Sequence, residues 1–70
     1  MQISARNQLE GIIREIHKGP INSDIKIEIA PEIFVTAQIT TSSVHRLKLA
    51  VGKTAYAIIK ADSVMVGVDD

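Results

Sequence analysis

The chain has no cysteine and no tryptophan, and its only aromatic residues are Phe34 and Tyr56. Without cysteine, disulfides and thiolate metal sites are excluded. The two histidines, His17 and His45, stand far apart with no second ligand at metal spacing, so no metal held directly by side chains is expected. Two aromatics cannot furnish the stacking track that single-stranded nucleic acid needs. Neither sign of charge dominates: eight basic and eight acidic residues cancel, with no basic run. That argues against nucleic acid as a partner, because phosphate-backbone binding requires a basic footprint. No stretch approaches the ~18 apolar residues of a membrane span. Arg6, Glu10 and Arg14 interrupt the amino-terminal region and oppose a signal-peptide reading. Glu10, Glu15, Asp24 and Glu28 never pair at a spacing suited to acid–base work. No nucleophile stands beside a base. The expectation is a soluble cytoplasmic protein that is not an enzyme.

What the chain does have is β-branched apolar residue. Of its seventy residues 46% are hydrophobic, more than so short a chain readily buries, since a domain of this size hides only about 60% of its unfolded surface. A homo-oligomer whose interface completes the core is therefore expected.

Strict alternation in Ile25-Lys26-Ile27-Glu28-Ile29 is the pattern of a half-buried strand. Ala30-Pro31-Glu32 reads as a turn, and Ile33 to Thr40 alternates again, so residues 23–40 form a hairpin. Upstream, Leu9 to His17 reads as a first strand with a bend or bulge at Gly11, ended by the turn Lys18-Gly19-Pro20. Thr41-Ser42-Ser43 starts a short helix over 41–49, its hydroxyls capping free amides and Val44 and Leu47 sharing a face; Val51-Gly52-Lys53 ends it. Thr54 to Lys60 is a fourth strand and Val64 to Val68 a fifth, joined tightly by Ala61-Asp62-Ser63. Asp69-Asp70 reads as a frayed end. The element order predicts one all-β domain over residues 1–70, a five-stranded OB-like Greek-key barrel with one short helix between strands three and four.

Two stretches gather hydrogen-bond donors without a catalytic base. Ser4-Ala5-Arg6-Asn7-Gln8 sets a hydroxyl beside a guanidinium, and Ile59-Lys60-Ala61-Asp62-Ser63 sets an ammonium near another hydroxyl. Such donors suit an oxyanion: Arg offers a planar fork and Lys a compact charge.

Ser4-Ala5-Arg6-Asn7-Gln8-Leu9, Ile39-Thr40 with Ser43-Val44, Val51-Gly52-Lys53, and Ala57-Ile58-Ile59-Lys60-Ala61 running into Ser63-Val64-Met65 together resemble the molbindins. These are small cytoplasmic molybdate-binding proteins of the Mop type, built on a TOBE domain. The resemblance implies a hexamer, a trimer of dimers, storing molybdate or tungstate at subunit interfaces. It assigns one class of site to Ser4 and Arg6, Thr40 and Ser43, and Lys60 and Ala61. A second class, on a threefold axis, has Lys18, Gly19 and Asn22 as weak candidates. The chain departs from the family pattern at Ala30-Pro31-Glu32, where a glycine-rich turn is common, and Pro20 removes a backbone donor near the threefold site. Two other ligands compete: a molybdenum-pterin, for which an aromatic-poor chain offers little stacking surface, and an oligonucleotide on an OB module.

Overall fold

The computed structural model describes residues 1–69. Four antiparallel strands make one sheet: β1 (Asn7–Lys18), β2 (Asn22–Ala30), β3 (Ile33–Thr40) and β4 (Thr54–Ile59), with the helix α1 (Thr41–Arg46) between β3 and β4. The spatial order is β3-β2-β1-β4. Three hairpin-linked strands followed by a fourth that returns beside the first is Greek-key connectivity.

The expected fifth strand is absent. No strand forms over residues 64–68, and a 3₁₀ turn at Ala61–Ser63 ends the regular structure among the described residues. Apolar, β-branched composition is not sufficient for a strand, because its stability comes from a ladder partner and a face to cover. The chain supplies neither here: Met65, Val66 and Val68 are exposed. With β3 and β4 left as the two edges, the sheet is curled and open. Of the frayed end expected at Asp69-Asp70, Asp70 lies outside the described residues.

β1 explains the curl. Its first half pairs with β4, from Asn7 opposite Ile59 to Ile12 opposite Thr54. Its second half pairs with β2, from Ile12 opposite Glu28 to Lys18 opposite Ser23, with the register slipping between Ile13 and Glu15. The bulge therefore sits at Arg14, not at Gly11. One extra residue shifts a period-two pattern by one position, so Leu9 and Ile13 before the slip and Ile16 after it all pack on the same core. Gly11 serves close approach instead: a Cβ there would collide with the backbone oxygen of Glu28. At the slip, Ile13 turns to the loop before β4, its N–H donating to the Lys53 carbonyl at 3.0 Å and its carbonyl accepting from Gly52 at 2.8 Å.

Ile13, Ile25, Ile27, Val44 and Ala57 form the buried core. Val44 reaches it from α1, which is shorter than the 41–49 expected. Leu47 caps the helix, and Lys48 then takes a left-handed conformation with φ 55°. The Lys53 ammonium donates to the carbonyls of Leu47 (3.2 Å) and Lys48 (3.1 Å), a cation placed where helix carbonyls lack partners.

Candidate functional site

The two donor-bearing stretches meet. Ser4, Ala5 and Arg6, just before β1, and Lys60, Ala61 and Asp62, just after β4, line one cleft of about 280 Å³. Strand pairing puts them there: Asn7 lies opposite Ile59, and the Asn7 side-chain amide donates to the Ile59 carbonyl at 3.2 Å. The Gln8 side chain donates to the Ala5 carbonyl at 3.0 Å and steadies the segment leading into the cleft. Among the described residues Arg6 has no ion-pair partner, so its guanidinium is available. Ala61 can contribute only main chain, and its N–H opens a 3₁₀ turn, where the first amides have no acceptor within the turn.

Asp62, which in the sequence is only part of the Ala61-Asp62-Ser63 connection, also lines the cleft. Its carboxylate is 3.9 Å from the Lys60 ammonium. The only signal in the sequence was its place two residues after Lys60, in a turn that β4 brings against residues 4–6.

Thr40 and Ser43 do not line this cleft. Thr40 pairs with Asn22 at the far end of β2, beside the Lys18 end of β1. A 12-residue strand at ~3.3 Å per residue runs roughly 35–40 Å, close to the molecule's longest extent of 40 Å. Ser4 and Arg6 thus stand at one end of β1, and Thr40 and Ser43 at the other. The Thr40 oxygen caps α1, accepting from the Ser43 N–H at 3.1 Å while its hydroxyl donates to the Ser43 Oγ at 2.7 Å.

Next to that cap the chain is locked. The Thr41 hydroxyl donates to the Gly19 carbonyl at 2.7 Å and shares a 2.7 Å hydrogen bond with Ser23, the buried polar side chain of the core. The Gly19 N–H donates to the Asn22 carbonyl at 2.9 Å, and the Thr41 N–H to the Ile21 carbonyl at 2.8 Å. Both polar groups of the Gly19 backbone are therefore committed inside the chain. Of the weak second set, only the Lys18 and Asn22 side chains, both exposed, keep donors to offer.

The remaining ionised clusters lie elsewhere on the sheet. The Glu32 N–H at 3.0 Å and the Arg14 guanidinium at 2.7 Å hold the Glu28 carboxyl below its ordinary value. His17 and Lys26 do the same for Glu15. No group of three or more His, Asp or Glu arranged to hold a metal ion occurs among the described residues. No helix there is long and apolar enough to cross a membrane.

A family model for the TOBE domain matches residues 3–66. The chain is 48% identical over 69 residues to a probable molybdenum-pterin-binding protein of Haemophilus influenzae, covering 99% of this chain and all of that protein. Among solved structures, a molybdate-binding protein from Sporomusa ovata superposes with a TM-score of 0.89 at 35% identity, over 97% of this chain and all of that one. The cytoplasmic molybdate-binding protein ModG, solved with molybdate bound, gives 0.92 at 33% identity over 99% of this chain and 49% of its own. With a match across nearly its whole length in both sequence and fold, the chain belongs to the TOBE-domain family, among the molbindins of the Mop type.

Proposed function

We propose that this protein binds molybdate or tungstate in the cytoplasm, storing the ion at subunit interfaces of a homo-oligomer, a hexamer built as a trimer of dimers. The observation that carries the reading is the cleft in which Ser4, Arg6, Lys60 and Ala61 converge. Two cations match the charge of a tetrahedral dianion, and the Ser4 hydroxyl and Ala61 amide add neutral donors. Hydrogen bonds to charged groups contribute roughly 1.5–3 kcal/mol each, so a few of them reach micromolar affinity, near −8 kcal/mol, after desolvation. The names of the Sporomusa protein and ModG, both molybdate-binding, point to the same ligand.

The cleft of one chain gathers four of the six expected ligand residues. Thr40 and Ser43 lie a strand length away, so they complete the site only from a second subunit. An apolar cleft of about 450 Å³, lined by residues of β2, β3 and β4 together with Leu47 and Leu49, opens between the two sheet edges. The exposed Val64–Val68 segment, from a second copy, has the composition to cover it. The exposure of both apolar surfaces in a single chain supports the oligomer.

Calorimetry with sodium molybdate, together with native mass spectrometry, tests the reading. Arg6→Ala and Lys60→Ala should each weaken interface binding by ten- to a hundredfold, from the loss of one charged hydrogen bond, with the fold retained. An ion stoichiometry and affinity unchanged in both variants sinks the site assignment, and a monomer that binds molybdate sinks the interface.

A pterin-bound ion is the second reading, favoured by the name of the Haemophilus relative and by the half-exposed Tyr56 in the apolar cleft. A single ring gives little for a pterin to stack upon. Purified protein that carries the metal without any ultraviolet-absorbing compound decides against it.

A further inference from the structure

Asp62 is out of place in a cleft that binds an anion. It stands with Ser4, Ala5, Arg6, Lys60 and Ala61 around one cavity, where its carboxylate sets a negative charge against the two positive ones. It is paired with Lys60 at 3.9 Å, and both side chains are about three-quarters exposed, at 77% and 75%. An ion pair so open to water contributes little to stability, and neither residue is buried against the core. No side-chain hydrogen bond caps the 3₁₀ turn, so Asp62 does not serve as its cap.

We infer that Asp62 is an affinity-setting residue of the oxyanion cleft, a tethered anion that shares the Lys60 ammonium with the ligand and yields it on binding. The inference rests on the oxyanion reading above. Without an ion, Lys60 has a partner at hand. When a dianion enters, the ammonium turns to it, and the displaced carboxylate remains on the cleft wall as a like charge. Both effects weaken binding and favour release, as a protein that holds an ion in reserve requires. In water, a unit charge about 6 Å from a dianion changes the binding constant by roughly tenfold. Because the carboxylate is exposed, salt screens this repulsion, with a Debye length of about 10 Å at 0.1 M and about 3 Å at 1 M.

The test is calorimetric titration of the full chain with sodium molybdate in low and high sodium chloride, comparing wild type, Asp62→Asn, Asp62→Glu and Arg6→Ala. Asp62→Asn should bind about tenfold more tightly at low salt, with the gain shrinking at high salt, while Asp62→Glu should stay close to wild type. A merely structural role for Asp62 predicts the opposite sign, since a damaged turn weakens binding. Equal or weaker binding by Asp62→Asn, or a gain that salt leaves unchanged, overturns the inference. If Arg6→Ala loses binding while Asp62→Asn matches wild type, this inference alone fails. If wild type takes up no molybdate, or Arg6→Ala binds as well as wild type, the oxyanion reading of the cleft fails with it.

Discussion

The two ends of β1 are built on opposite plans. At the Lys18 end, the turn, the buried Ser23, Thr41 and the start of α1 satisfy one another through hydrogen bonds of 2.7–2.9 Å. At the Asn7 end, Arg6 is unpaired among the described residues and Lys60 has only a distant carboxylate. A closed network fixes geometry and leaves few donors for anything else; an open one keeps its donors for a ligand. The same strand thus joins an end fixed by its own hydrogen bonds to an end whose cationic side chains are largely uncommitted among the described residues.

Substitutions at the closed end should move stability, in contrast to Arg6→Ala. The largest effect is expected for Thr41→Val, which leaves the buried Ser23 hydroxyl and the Gly19 carbonyl without their partner. An unsatisfied buried polar group costs about 1–3 kcal/mol, and each kcal/mol lowers the melting temperature by roughly 4–8 °C in a domain of this size. A thermal melt indistinguishable from wild type would show that the network is not structural. Thr40→Ala, which removes the helix cap, should cost about 1 kcal/mol, read as a smaller shift in the urea midpoint with an unchanged m-value. The smallest effect lies on the open sheet surface. Glu28 has its carboxyl depressed by the Glu32 amide and by Arg14, so its stabilisation is complete above the ordinary carboxylate value and is lost as pH falls through the lower, folded value. Glu28→Gln should therefore be less stable than wild type at neutral pH and converge on it under acid. Parallel denaturation curves from pH 7 to pH 3 would contradict that assignment.

The closed end was the more legible in the sequence. Alternation in Ile25–Ile29 and Ile33–Thr40, the Lys18-Gly19-Pro20 turn and the hydroxyl cluster at Thr41 are local signals, and the structure has the hairpin, the turn and the helix start where they were expected. The misreadings came from partners that local signals do not contain. Val64–Val68 has strand composition, but its own chain offers no ladder for it. Gly11 looked like a bulge, although its lack of a side chain answers the Glu28 carbonyl from another strand, while the slip itself falls at Arg14, where nothing in the composition marks it. Ser4, Arg6, Lys60 and Ala61 line one cavity of a single chain, a placement set by the pairing of β1 with β4 and by no local signal. Thr40 and Ser43 did not join them within one chain, and the acid at Asp62 carried no pattern of its own.

The pairing of β1 with β4 also makes the cleft a long-range structure. Asn7 and Ile59, which frame it, are 52 residues apart in the chain, so bringing them together means closing nearly the whole polypeptide into a loop, at an entropic cost that grows with loop length. Contacts of such long range are slow to form. Residues 4–6 and 60–62 line one cleft only when β4 is paired with β1, and a captured dianion would fasten the ends of that loop to each other. An ion held there would act as a clasp on the longest-range seam of the sheet.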